Sequence, residues 1–386
     1  MDVKTRGIPP TPAERAAIES VLGPEPARDL HDVIGGHVNR RRRHLLLGTL
    51  HAVNDRVGWI SQPAIDHIAE RLDLGPAEVY GIASFYSLFG LGERDGHQVH
   101  VCVDVACRSN GGATEADLPE GAHPSPCLGL CERAPAAFVI DAGDPVRQAV
   151  AGHVTRVDVQ SWVDGARPGP EAPPETAVPQ AGDPSLVLLR RAGRQDPLDL
   201  DAYLADRGFQ ALDRARELGP DAVIAAVTES GLTGRGGAGF PTGIKWQKVR
   251  EATGDQKYII CNGDEGDPGA FMDRMLLESF PYRIIEGMTI AARAIGAHEG
   301  YFYIRAEYPL AVRRIREAIA LCRQRGLLGT QILNSDFDFD LQIMEGAGAF
   351  VCGEETALLA SMEGHRGMPH LRPPFPAESG LWERPT

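Results

Sequence analysis

Apolar residues recur at helical spacing through the first 90 residues. Thr11, Pro12 and Glu14 form an N-terminal capping signature, so a helix is expected over Thr11–Leu22. Leu45, Leu46, Leu50 and Val53 share one face of a second helix over 40–56. A third covers Pro63–Leu72, and a fourth starts at Pro76, just past Gly75, and carries Val79, Ile82, Phe85 and Tyr86. The period then shortens to two. Val99, Val101 and Val103 alternate along His97–Val105 and predict a strand, with shorter strands expected at Ala137–Ile140 and Val154–Val157. Between Gly165 and Pro184 the periodicity disappears under six prolines, which reads as a stiff, extended linker. Beyond Ser185, helices are expected at Pro220–Glu229, around Trp246, and at 282–295 and 309–324, with strands at Lys257–Cys261 and Tyr301–Arg305.

The expected fold class is α/β. A helical bundle (1–92) precedes a compact α/β unit (93–164), the linker (165–184) and a second α/β domain (185–386). Among 386 residues, 39 Lys+Arg face 53 Asp+Glu, a net charge of −14. That balance argues against general nucleic-acid binding, and Arg40–Arg43 is read as a solvated helix start. No stretch of about 20 apolar residues predicts direct membrane insertion. Met1–Pro10 has no apolar leader, and seven cysteines are an odd number, which together point to a reducing, cytoplasmic setting with metal or redox use.

Four cysteines form two close pairs, Cys102-x4-Cys107 and Cys127-x3-Cys131. Such a set suits an iron–sulfur cluster or tetrahedral zinc, with disulfides or idle thiols as the remaining readings. The wide x4 and x3 loops favour two irons, and Gly129 lets the backbone approach closely. Cys261, Cys322 and Cys352 are scattered and read as structural thiols.

Gly234-Arg235-Gly236-Gly237-Ala238-Gly239 satisfies G-x-G-x-x-G, but a helix is expected before it where the dinucleotide fingerprint needs a strand. Its glycines still expose consecutive N–H groups able to cradle a phosphate. Two acidic loops join it, Asn262–Gly269 after a strand and Glu345–Glu355 with its own glycines. Carboxylates there are natural acceptors for ribose hydroxyls and for a nicotinamide amide.

Ala52–Phe89, Cys-x4-Cys and Pro-Cys-Leu-Gly-Leu-Cys resemble the 24-kDa-type subunit of NADH dehydrogenases. The resemblance implies a helical bundle and a thioredoxin-like ferredoxin domain with Cys102, Cys107, Cys127 and Cys131 holding a 2Fe–2S cluster. The segment between the two cysteine pairs is shorter than usual. Gly231–Trp246, Cys261–Arg274, Gly346–Leu358 and Arg372–Pro376 resemble the 51-kDa-type flavoprotein of NADH dehydrogenases, also found in NAD-linked formate dehydrogenases and bidirectional hydrogenases. That implies a Rossmann-like domain for FMN and NAD(H). By the resemblance, the loop from Gly234 to Gly239 (with Arg235, Gly236, Gly237 and Ala238) and Lys245 take the FMN phosphate, and Asn262, Asp264 and Glu265 take the ribityl and ring atoms. Phe240 and Phe375 flank the NADH adenine. Glu265 and Asp267 stand at the reacting end, Gly353 and Glu354 beside the cofactors, and Glu355 at the adenosine ribose, where it disfavours a 2′-phosphate. Thr233 replaces a common Arg, Lys248 an aromatic, Phe350 a Tyr, and Arg372 a Lys. The family continues past the point matching Thr386.

The expected function is a reversible NADH-oxidising diaphorase subunit of a larger redox complex, NADH dehydrogenase or NAD-linked formate dehydrogenase, with iron–sulfur and catalytic subunits as partners. Tyr303–Pro309 resembles the formate dehydrogenase branch. The alternative is a non-catalytic 2Fe–2S scaffold or relay with an inactive flavin domain.

Overall fold

The computed structural model describes residues 7–24, 42–169 and 184–386. The chain divides into two compact units, residues 1–172 and 173–386. Most of the expected linker, 170–183, lies outside the described residues, as do Arg40 and Arg41.

The first unit opens with helices Pro12–Leu22, Leu46–Val57, Gln62–Leu72 and Pro76–Phe85. The expected capping box is present. The Glu14 N–H donates to Thr11 Oγ1 at 3.3 Å, and the Thr11 N–H donates to Glu14 Oε2 at 2.7 Å. Gly58, at φ 91°, ends the second helix in a conformation that disfavours a side chain. The helices close over Ile18, Leu50, Val53, Ile65, Ile68 and Leu72, all fully buried. Truncating one of these to alanine costs ~2–5 kcal/mol.

A four-stranded sheet follows, with strands β1 (His97–Cys102), β2 (Ala122–Ser125), β3 (Ala136–Asp141) and β4 (Arg147–Gly152) in the order β2-β1-β3-β4. β1 and β2 are parallel, and the other pairs are antiparallel. Val99, Val101, Ala137 and Val139 pack one face against Val159 and Trp162 of the helix Arg156–Val163. This corrects the strand expected at Val154–Val157. Thr155 instead opens that helix in a capping box with Asp158, and the strand lies earlier, at β4. Two valines three apart fit either period, and the cap decides.

In the second unit, β5 (Tyr258–Gly263), β6 (Glu299–Arg305) and β7 (Asp340–Gly346) are parallel, in the order β5-β6-β7. Helices Met272–Ser279 and Pro281–Ile295 connect the first two strands, and Pro309–Gln324 the next two. Phe302, Ile304, Ile315, Phe339 and Leu341 centre its main core. Parallel pairing places the loops after all three strands on one edge, where α/β folds hold ligands. Among the described residues no helix is long and apolar enough to cross a membrane.

Candidate functional site

The glycine loop sits between the helices Pro220–Glu229 and Thr242–Glu251, with no strand before it. Its base is pinned. The Gly234 N–H donates to the Phe240 carbonyl and the Thr242 N–H to the Leu232 carbonyl, both at 2.9 Å. Between these pins the backbone is open: a Cβ at Gly236, Gly237 or Gly239 would meet nothing within 4 Å. Gly237 and Gly239 take φ 106° and 63°, which glycine adopts without strain. The loop hands over to Thr242–Glu251, whose N-terminus has no side-chain cap. Free N–H groups and a helix dipole favour an anion at that point.

A cavity of about 560 Å³ lies beside the loop. Of the residues expected at the site, Gly234, Gly236, Ala238, Gly239, Phe240, Lys245, Asn262, Gly353, Glu354, Glu355, Arg372 and Phe375 line it, and Lys248 joins them. Phe240 and Phe375 are both about half exposed, at 46% and 47%, so two ring faces are free to stack on a base. Lys248 Nζ sits 5.7 Å from the Phe375 ring centre.

The cavity's charges are already organised. Glu355 bridges two cations, accepting from Lys245 Nζ at 2.9 Å and from Arg372 Nη1 at 2.6 Å. Glu354 caps the helix Glu355–Met362, accepting from the N–H groups of Thr356 at 2.9 Å and Ala357 at 3.0 Å. Burial pushes the Glu354 carboxyl up, but the Thr356 hydroxyl, these two N–H groups and Arg372 outweigh it and hold it below the usual range.

The acidic loop after β5 packs directly on the loop after β7. Asn262 donates from Nδ2 to the Gly353 carbonyl at 3.0 Å and accepts from the Asp264 N–H at 3.2 Å. Asp264 is only 8% exposed, and neither carboxylate oxygen has a hydrogen-bond partner. Burial pushes its carboxyl up to about 6, against Arg305 and aided by Glu307. A buried carboxylate without donors is costly, and that cost is what raises this carboxyl. Open glycine cradle and paired cations together fit a flavin mononucleotide.

Six expected residues do not line the cavity. Arg235 and Gly237 lie exposed on the glycine loop, Asp264 sits behind Gly353, and Asp267 is exposed. Phe350, 68% exposed, stands over Gly266, where a Cβ would come within 2.8 Å of its ring. Glu265 turns its carboxylate to the helix Met272–Ser279, accepting from the N–H groups of Asp273 at 2.8 Å and Arg274 at 3.3 Å. Sequence reasoning had not singled out Arg305, Glu307 or Tyr308 individually, although charged residues closing a parallel strand were a signal for them.

In the first unit, Cys102 ends β1 and Cys107 lies in the short helix Val105–Ser109 that Asp104 caps. Asp104 also accepts from the Cys127 N–H at 3.1 Å, which ties the two cysteine loops together. The four thiols stand as two pairs. A hydrogen bond from Cys107 brings the Cys102 thiol down to about 7 and raises Cys107, while Cys127 Sγ and Cys131 Sγ are 3.3 Å apart. The pairs feel each other electrostatically, Cys127 acting on Cys102 and Cys131 on Cys107. Among the described residues no three His, Cys, Asp or Glu side chains gather as one ion requires. Two adjoining thiol pairs suit a binuclear cluster, one pair per iron. Leu128, Leu130 and Ala134 give the site an apolar wall. Cys322 and Cys352 are buried in the second unit, and Cys261 is half-buried there.

Comparison with known proteins supports the two domains that carry these residues. Residues 227–382 match the Nuo51 FMN-binding domain family, and residues 33–122 match the thioredoxin-like [2Fe-2S] ferredoxin family. The NAD-reducing hydrogenase HoxS subunit alpha of Cupriavidus necator is 35% identical over 371 residues, 90% of this chain and 60% of that protein. The NADP-reducing hydrogenase subunit HndC of Solidesulfovibrio fructosivorans is 54% identical over 200 residues, 52% of this chain and 41% of that protein. An NADH-quinone oxidoreductase subunit of Aquifex aeolicus is 48% identical over 200 residues, 52% of this chain and 47% of that protein. A crystal structure of NAD+-reducing [NiFe]-hydrogenase in the H2-reduced state superposes with a TM-score of 0.52 at 28% identity, covering 88% of this chain and 58% of that one. The chain spans about half the length of the curated relatives it matches.

Proposed function

We propose that this chain, a thioredoxin-like [2Fe–2S] ferredoxin domain joined to a Nuo51 FMN-binding domain, is the NADH-oxidising flavoprotein part of a multi-subunit redox complex. One observation carries the reading. An open glycine loop, two exposed phenyl rings and the ion-paired carboxylate Glu355 converge on a single cavity of about 560 Å³.

FMN, when bound, accepts a hydride from NADH and releases the electrons singly. The chain's own residues hold and orient. The N–H groups of the 234–239 loop and Lys245 take the phosphate, Asn262 faces the ribityl hydroxyls, and Asp264 supports Gly353 from behind. Phe240 and Phe375 stack on the adenine, and Glu355 accepts from the adenosine ribose. Asp267 and Glu265 sit on the loop that would face the nicotinamide. This work is positioning, the part of the barrier a protein lowers by fixing two reactants at contact distance. Cys102, Cys107, Cys127 and Cys131 hold the two-iron cluster, a store or relay for electrons leaving the flavin.

The finer assignment concerns the partner. A hydrogenase subunit aligns over 90% of this chain, both halves together. The segment Tyr303–Pro309 instead favours a formate dehydrogenase. We place the chain in a cytoplasmic NAD-linked complex of one of these two kinds or in an NADH dehydrogenase, one of whose subunits is 48% identical over about half of this chain. Purifying the complex from its native source decides among them, molybdopterin marking formate, nickel marking hydrogen, and neither marking an NADH dehydrogenase. The flavin reading is tested by reconstituting the chain anaerobically with FMN and iron, removing free flavin, and adding NADH. A retained flavin band that bleaches supports it, and a protein that keeps no flavin overturns it in favour of a cluster-bearing scaffold.

A further inference from the structure

The residues that end β6 lie between the two cofactor loops, because β6 is the middle strand of the order β5-β6-β7. They touch both loops. Toward the acidic loop, Arg305 donates from Nη1 to the Glu265 carbonyl. The Tyr308 hydroxyl reaches the same carbonyl at 3.1 Å and Glu265 Oε1 at 3.2 Å. Toward the loop after β7, the Ala306 N–H donates to the Gly346 carbonyl at 2.9 Å. The Glu307 carboxylate rests against Gly348, where a Cβ would come within 2.8 Å of Oε1. Arg305 joins the two sides through Nη2 to Glu307 Oε1 at 2.7 Å. The Tyr308 ring is in turn held by two guanidinium groups, Arg305 at 5.4 Å and Arg274 at 5.5 Å from its centre.

Arg305 and Tyr308 are mostly buried, at 18% and 6% exposed, and Glu307 is half exposed, so these contacts add to the stability of the fold as well as ordering the two loops. Their second effect is to fix geometry. A peptide carbonyl held by a guanidinium and a phenol cannot rotate without losing both bonds, one of them charge-assisted. We propose that Arg305, Glu307 and Tyr308 are a positioning clamp that locks the acidic loop to the second glycine loop and so sets the affinity of the site for FMN. The proposal rests on the FMN reading above.

The test uses the full chain as wild type, Arg305→Met, Arg305→Lys and Tyr308→Phe. Hydrogen exchange is measured without ligand, and FMN binding is followed by quenching of flavin fluorescence. In Arg305→Met, exchange in 262–269 and in 346–353 rises together. FMN binding weakens roughly tenfold as the loops lose their shared anchor, and the thermal midpoint falls by a few degrees with the lost bond. Tyr308→Phe gives a smaller shift of the same kind, and Arg305→Lys recovers part of the affinity. The clamp is overturned if 346–353 keeps its protection in Arg305→Met, or if both loops loosen and FMN affinity stays at the wild-type value. A wild-type chain that binds no FMN overturns the FMN reading and with it the clamp's role in affinity. Exchange on that same unliganded chain then decides the coupling by itself.

Discussion

Replacing Asp264 with Asn should strengthen the ligand-free protein above pH 6 and leave FMN affinity nearly unchanged. The side chain is 8% exposed and both its oxygens lack partners. Burial raises its carboxyl from 3.8 to about 6. Two units at ~1.4 kcal/mol each set an upper bound of about 3 kcal/mol, and local relaxation brings the expected gain to about 1–3 kcal/mol. Because the folded value lies above the unfolded one, the folded state binds the extra proton between about pH 4 and pH 6. The carboxyl's contribution is therefore intact below pH 4, declines as the pH rises through 6, and is fully lost above it. At pH 8 the Asn variant should melt roughly 3–8 °C above the wild type, and near pH 4 the two should coincide. Asp273, raised to about 6 by burial and by Glu265, is present in both proteins and cancels in the comparison. FMN binding should stay within about twofold, because the side chain lies behind Gly353 and does not line the cavity. The assay is thermal unfolding of the apoprotein across pH 4–8, paired with FMN titration. Equal melting at pH 8, or a difference that persists undiminished at pH 4, refutes the reasoning.

Three further outcomes are expected. Gly243→Ala should lower the thermal midpoint by the equivalent of ~1–3 kcal/mol, because the added Cβ lies 2.1 Å from Thr228 Oγ1 and 2.8 Å from its backbone N; a melting curve is enough to check it. Glu355→Gln removes the negative charge at the adenosine ribose and frees Arg372 for a 2′-phosphate, and should reduce discrimination between NADH and NADPH roughly tenfold, read as the ratio of kcat/KM values. Cys131→Ser should abolish the iron–sulfur absorption and leave FMN affinity within about twofold, since the thiols and the cavity belong to separate compact units.

Much of the fold was legible because its signals are local. Thr11 with Glu14 and the valines of β1 each state their structure within a few residues. Val154–Val157 misled because two valines carry no period of their own, and Thr155 with Asp158 was the stronger signal. β7 is not legible as a strand because its short apolar alternation of Leu341 and Ile343 runs directly into glycines that signal a loop. At the site, the residues that line the cavity were legible by type: glycines for open backbone, lysine and arginine for anions, exposed phenylalanines for a base. Glu265 was legible as a site residue, but its bonds to Asp273 and Arg274 depend on where the next helix begins. The clamp at Arg305, Glu307 and Tyr308 depends on strand order, which no window of sequence contains.

The central claim is that one cavity holds FMN and NADH close enough for hydride transfer, and an anaerobic NADH titration of the reconstituted full chain tests it most directly. Flavin absorbance and the paramagnetic signal of the reduced cluster are followed together. The account predicts that the flavin bleaches in proportion to NADH added and that the cluster signal grows as electrons pass on. A flavin that stays bound yet remains oxidised in excess NADH would contradict it.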